Sequence, residues 1–292
     1  MAVTIYGSYD AWQRHAYVSI ESSSTVKMQY EALTASINIE IGERSVDIID
    51  LLNMGQIMKY GPVGMTTITL EGYPLYAGTA NTSGATRGTP TGGKSEGYWE
   101  LFADIGHTDT AQPLNISMTN NATRYRIAIL LTNDAELTGT LSAASNGTPS
   151  VTAGATTAGD HDGKMMLITS GTGLGGRYMI VTHTNVSVYT LTAGDTPATD
   201  LGGTTPNNTI TVYPTGSGAV ATGSKGKRFV MADCTVTASP LDFTDGILKQ
   251  TVTIKGKMFA ADGSALFKIE STDGTAQLGE LGSYTAGVTY WS

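Results

Sequence analysis

Few residues of this chain are grouped in a way that could support chemistry. Asp160, His161 and Asp162 form the densest set of potential metal ligands. Adjacent residues on one loop offer too few ligands for a closed site, and no second set has matching spacing. The run therefore reads as a surface turn. His15, His107, His161 and His183 are otherwise scattered, and His107 with Asp104 and Asp109 fits a polar turn better than an acid–base pair. Gly171, Gly173 and Gly176 match the dinucleotide pattern G-x-G-x-x-G. That pattern works by placing a helix N-terminus under a pyrophosphate. Here it runs into Arg177–Thr182, which reads as strand, so it is a tight turn. No serine sits in a nucleophile elbow, and no cysteine and histidine pair convincingly. Glycoside cleavage needs two acids across a cleft at roughly 5 to 10 Å, and nothing in the sequence selects such a pair. The expectation is a protein that is not an enzyme, with no catalytic residues, no cofactor and no metal.

Composition bounds the answer further. The 292 residues carry a net charge of -8; 40% are hydrophobic, 14% are charged and 36 are glycine. A charged fraction well below the usual ~25% removes the residues that build helix surfaces and keep a monomer soluble. Surfaces buried between subunits need fewer charges. Cys234 is the single cysteine, so no intrachain disulfide can form, and its apolar surroundings suggest a small buried thiol. The first residues lack a basic and then apolar leader, and no segment approaches a membrane span; synthesis in the cytoplasm is expected. The N-X-S/T sequons, among them Asn115 and Asn185, are read as a product of threonine-rich composition. No basic patch is interleaved with aromatics, so stable nucleic-acid binding is not expected. An acidic wall would instead let a polyanion slide past.

The elements read as strands. Leu33 to Ile41 alternates with period two, placing Ile37, Ile39 and Ile41 on one face and Asn38 and Glu40 on the other. Val46 to Met58 is open between a short helix and an irregular strand. Met65 to Leu75, Tyr125 to Leu131, Arg228 to Ala238 and Gly246 to Met258 are strand-like. Tyr98 to Ile105 is the one expected helix, with Trp99, Phe102 and Ala103 on one face. Leu114 to Met118 is a further strand, and Tyr76 to Gly97 a long Gly/Thr/Ser loop. From Leu137 the charges thin out, and short strands recur at Lys164 to Thr169, Gly176 to Thr182, Ser187 to Leu191 and Thr209 to Tyr213. The flanks Leu141 to Gly159 and Thr215 to Gly226 look like linkers. Three parts follow: a core over 1–136, an inserted β domain over 137–226, and the rest of the core over 227–292. The aromatic tail with Tyr284, Tyr290 and Trp291 packs either on its own core or on a neighbouring subunit.

Two runs carry a resemblance. Ile39 to Ser45, Lys59 to Pro62 and Ile68 to Tyr73 resemble the front half of the tail tube (major tail) proteins of tailed viruses. Ala232 to Val236, Leu241 to Lys249 and Val252 to Gly256 resemble their back half, and Gly163 to Gly173 with the strands to Tyr213 is similar to a recurring viral β module. The resemblance covers about two thirds of the chain. It implies an all-β, tail-tube-type sandwich or barrel core with one short packed helix, plus a small inserted external β domain. It also implies hexameric rings stacked into a tube in the virion tail. Such a tube surrounds the tape-measure protein and then conducts DNA during genome delivery, without inserting into a membrane. On this reading Glu40 and Glu71 are candidates for facing the lumen. The loop bearing Tyr76, Arg87, Pro90, Lys94 and Gly97 is the candidate contact between rings, together with the N-terminal arm. The large insert favours a long tail without a sheath. The alternative is a virion decoration or adhesion protein that binds a host-surface glycan or protein.

Overall fold

The computed structural model describes residues 15–22, 26–32, 37–52, 55–72, 78–81, 124–134, 136–143, 150–151, 158–170, 178–185, 188–191, 209–238, 241–244, 247–282 and 284. The expected helix Tyr98–Ile105 and the strand Leu114–Met118 lie outside them, as does the loop bearing Tyr76, Arg87, Pro90, Lys94 and Gly97. Every element among the described residues is a strand. In chain order these are β1 (His15–Ser22), β2 (Val26–Ala32), β3 (Ile37–Glu40), β4 (Arg44–Asp50), β5 (Gln56–Val63), β6 (Thr66–Gly72), β7 (Gly78–Asn81) and β8 (Tyr125–Thr132). Then follow β9 (Leu137–Ala143), β10 (Ser150–Val151), β11 (Met165–Ser170), β12 (Tyr178–Asn185), β13 (Val188–Leu191) and β14 (Thr209–Tyr213). The last are β15 (Gly226–Ala238), β16 (Leu241–Thr244), β17 (Ile247–Gly256) and β18 (Phe267–Thr272).

Ten strands make one antiparallel sheet in the order β3-β6-β17-β15-β8-β1-β2-β7, with β16 on β17 and β18 on β15. β9 to β14 close into a separate six-stranded barrel. The chain leaves the sheet after β8 and re-enters it at β15, and those two strands pair directly from Gly226↔Thr132 to Cys234↔Tyr125. β15 changes neighbours along its length. Its first half pairs with β18 and its second half with β17. The switch falls at a bulge between Met231 and Cys234, where Asp233 takes a positive φ of 53°. Aspartate tolerates that conformation better than most side chains, and a bulge re-aims a strand.

The inner face is continuous across six strands. Ile37 and Ile39 of β3, Ile68 and Leu70 of β6, and Val252 and Ile254 of β17 lead to Met231 and Cys234 of β15. Ile127 and Ile129 of β8 and Val18 and Ile20 of β1 complete the cluster. Cys234 is fully buried there; burial, with the Asp233 charge beside it, pushes its thiol pKa well up and keeps it inert. The period-two reading of β3 is realised, with Ile37 and Ile39 half-buried and Asn38 and Glu40 exposed. Ile41, expected on the same apolar face, is instead 54% exposed, because the strand ends at Glu40 before Gly42.

The back of the sheet is also covered where β1, β8 and β15 lie. β8 is therefore apolar almost throughout, as a strand buried on both faces must be. Its cover is not strand. Segment 215–221 and the tail 278–284 lie across it. Val220 packs on Tyr17 and Leu130, Leu281 on Ala128 and Val230, and Tyr284 on Ala232 and Leu266. Tyr284 thus packs on its own core, while Tyr290 and Trp291 lie outside the described residues.

Two arginines tie this cover down. Buried Arg126 donates to the Glu21 carboxylate and to the Gly282 carbonyl, and its guanidinium lies 5.6 Å from the centre of the Tyr284 ring. Buried Arg228 donates to Glu270 at 2.7 and 2.8 Å, and to the carbonyls of Gly218 and Gly279 at 3.0 and 2.8 Å. Burial raises the pKa of Glu270, but hydrogen bonding and charge from Lys268 and Arg228 outweigh it and hold it below the ordinary carboxylate value. A depressed folded pKa contributes stability above the unfolded pKa and loses it as the pH falls through the folded one. The wild type should therefore lose thermal stability as the pH falls below about 4. Glu270→Gln should give a flatter midpoint-versus-pH curve over that range by differential scanning calorimetry. Equal slopes would show that the pair does not contribute.

The flank Thr215–Gly226, read as a linker, is packed instead, and of the flank Leu141–Gly159 residues 144–149 and 152–157 lie outside the described residues. Thr215, Ser217, Ala219 and Val220 are buried, and Leu141 to Ala143 belong to β9. Glycine, serine and threonine were read as flexible, but here they serve close approach. A Cβ on Gly216 would collide with the Ala128 carbonyl and the Ser19 backbone nitrogen. The Asp160 turn is not on the surface either. Asp160 is 0% and His161 7% exposed, and Asp160 accepts from the Thr222 backbone N–H and hydroxyl at 3.1 and 3.2 Å.

Candidate assembly surface

β3 and β6 pair at one edge of the sheet, from Ile37↔Leu70 to Glu40↔Thr67. Beyond this pairing the chain continues as β4 and β5, which among the described residues pair only with each other. Gly42 and Gly64 mark the junction. The Gly64 N–H donates to the Glu43 carbonyl at 2.8 Å, and a Cβ on Gly42 would strike the Gly64 carbonyl. The two strands approach so closely there that only glycine fits. The open alternative for Val46 to Met58 is thereby resolved in favour of strand over helix: two strands pair as a ribbon, with a register shift between Arg44 and Val46.

The ribbon's register sorts its side chains. Val46↔Tyr60 and Ile48↔Met58 face one side, with Asp50↔Gln56 at the outer end bonded at 2.9 Å. Asp47↔Lys59 and Ile49↔Ile57 face the other. The Arg44 guanidinium lies 5.9 Å from the Tyr60 ring centre at the base. At the tip, the Leu51 N–H donates to the Gly55 carbonyl at 2.7 Å. Nearly all of this surface is open. Ile48 is 58%, Met58 59%, Tyr60 59% and Leu52 106% exposed, and Val46, Ile49, Leu51 and Ile57 are about half exposed. An isolated two-stranded hairpin is marginal in water, and contiguous exposed apolar surface of this kind marks an interaction site.

Next to the ribbon lies a second open surface. Asn38 and Glu40 of β3 line up with Thr67, Thr69 and Glu71 of β6, and with Thr251, Thr253 and Lys255 of β17. All lie opposite the apolar face. Glu40 is exposed and accepts from the Asn38 side-chain amide at 3.0 Å, and Glu71 is half-buried. Glu40 and Glu71 therefore sit on one polar face of one sheet, although 30 residues of sequence separate them.

Among the described residues no group of three or more metal-ligating side chains converges, and no helix is long and apolar enough to cross a membrane. The chain matches no family model, and it matches no curated protein.

Sequence reasoning missed the ribbon as a site. The available signal was apolar residues at both odd and even positions from Val46 to Leu52, which in a strand demands cover on both faces.

Proposed function

We propose that the protein is a structural subunit that self-assembles into stacked rings forming the tail tube of a tailed virus, a conduit for DNA. The observation that carries this reading is the β4–β5 ribbon. It holds eight large apolar side chains in the open, and a second copy of the chain is the partner that would cover them. The sparse charge and the tail-tube resemblance of Ile39–Ser45 and Ala232–Gly256 point to the same partner. On this reading the core corresponds to the sandwich-like tube wall, hexameric rings close through neighbouring copies, and the β9–β14 barrel sits outside. The threonine-rich face with Glu40 and Glu71 lines the lumen, where fixed carboxylates repel the phosphate backbone and keep DNA from sticking. The protein has no catalytic role in this assembly.

Negative-stain microscopy and light scattering of the purified full chain test the reading. Rings or tubes are the expected result, and a monodisperse monomer at high concentration would overturn it in favour of a decoration or adhesion protein. The lumen assignment has its own test. Virions carrying Glu40→Lys and Glu71→Lys should assemble normally but deliver DNA several-fold more slowly, most markedly at low salt. Unchanged delivery kinetics would remove these two residues from the wall.

A further inference from the structure

Three ionisable side chains are shut away from water where the sheet meets the barrel. Lys164, at the end of the turn leading into β11, is 1% exposed, and Asp160 in the same turn is 0% exposed. Lys164 Nζ lies 2.6 Å from Oδ2 of Asp134, whose side chain is 7% exposed and sits just after β8. The Asp134 carboxyl is held at both oxygens. The Ala221 N–H donates to Oδ2 at 2.9 Å and the Ser224 hydroxyl to Oδ1 at 3.2 Å. Asp160 stands four residues before Lys164 in the same turn and accepts from the Thr222 N–H, next to the Ala221 N–H that binds Asp134.

We propose that Lys164 and Asp134 condense into an intramolecular isopeptide bond, with Asp160 carrying the proton. An ammonium buried this completely is costly, and a neutral amine is a nucleophile. Desolvation lowers the Lys164 pKa despite the opposing charges of Asp134 and Asp160, which favours the neutral form. A 2.6 Å contact to Oδ2 puts the amine within about one further bond of the carboxyl carbon, in the range of a near-attack geometry of about 3–3.5 Å. Ala221 and Ser224 supply donors where negative charge grows on the carboxyl oxygens.

The step balances without any added reagent. A proton passes from the ammonium to the Asp134 carboxylate, leaving an amine and a carboxylic acid. The nitrogen lone pair attacks Cγ and a C–N bond forms. Asp160 takes a proton from the nitrogen and returns it to the departing oxygen, the C–O bond breaks, and one water leaves. The product is a neutral amide joining the end of β8 to the turn before β11, a covalent clamp across the base of the barrel. Nothing in this chemistry depends on the assembly reading.

Denaturing mass spectrometry of the purified full chain decides it, since the readout does not require a folded variant. The expected intact mass is one water below the sequence mass, and digestion with trypsin plus a glutamate-specific protease should release a branched peptide joining Ile127–Glu136 to Leu137–Arg177, uncut after Lys164. The full sequence mass would overturn the proposal. So would a water loss that maps to Asp162, Asp245, Asp262 or Asp273, each followed by glycine and able to cyclise. Lys164→Arg keeps the charge but should restore the full mass. Asp160→Asn should leave most of the chain unconverted, and complete conversion in that variant would overturn the role given to Asp160.

Discussion

Replacing Ile48 and Met58 with glutamate is expected to abolish assembly while leaving the subunit folded. The two residues are cross-strand partners on one side of the β4–β5 ribbon, and both are more than half exposed in the single chain. Exposed positions tolerate substitution within about 0.5 kcal/mol, so the midpoint of thermal unfolding should barely move. The cost falls on the interface. Leaving two large apolar side chains uncovered forfeits at least about 3 kcal/mol, and a buried pair of like charges adds to it. That corresponds to a more than ~100-fold weaker association per contact, repeated at every subunit. Light scattering should report a monomer where rings are the expected result for the wild type, with an unchanged near-ultraviolet circular dichroism spectrum. Rings of normal size from the double variant would show that the ribbon's apolar side faces something other than another copy. Glutamate at Ile49 and Ile57, on the opposite side, asks whether the ribbon is covered on one side or both.

The second large effect is on stability and comes from Arg126→Met. The guanidinium is 1% exposed and holds the Glu21 carboxylate, the Gly282 carbonyl and the Tyr284 ring together. Removing it strands a charge within the covered back of the sheet, a loss of about 3–5 kcal/mol where whole domains are stable by only about 5–15. Urea unfolding should show a midpoint far below that of the wild type. Combining Arg126→Met with Glu21→Gln should recover part of the loss, because the stranded charge is gone, and the recovered fraction measures the coupling between the two. An Arg126→Met chain as stable as the wild type would mean that the Arg228–Gly279 bond and the apolar contacts at Leu278, Leu281 and Tyr284 suffice to hold the tail.

Several strands were legible from apolar and polar residues in alternation, though β1, which puts Val18 and Ile20 into the core, was not read. Ile68 and Leu70 alternate with Thr67 and Thr69, and Ile37 and Ile39 with Asn38 and Glu40; period two survives because burial differs between the two faces. Four strands of the barrel, β11 to β14, were legible because turn clusters bracket them, whereas β9 and β10 were not read as strands. What stayed hidden depends on what lies across from a residue. Thr215 to Gly226 has the composition of a linker, yet its small side chains let it lie flat on β1, β8 and β15; composition does not distinguish small because flexible from small because crowded. Asp160 looked like part of a surface turn, because its partner Thr222 is about 60 residues away. The ribbon was ambiguous for the opposite reason. Its apolar residues on both faces imply a buried strand, and nothing among the described residues of the chain buries them.

The junction between sheet and barrel has a mechanical consequence. The strand leaving β8, the turn at 158–164 and the return at 215–225 are cross-tied by Asn133 to Lys225, Asp134 to Ala221, Asp160 to Thr222, and Thr215 to the Gly163 carbonyl. Such a joint has no slack for swivelling, so bending or twisting of a filament built from this chain would be transmitted to every protruding barrel. In image reconstructions of such a filament, the barrels should sharpen to the same detail as the wall that carries them.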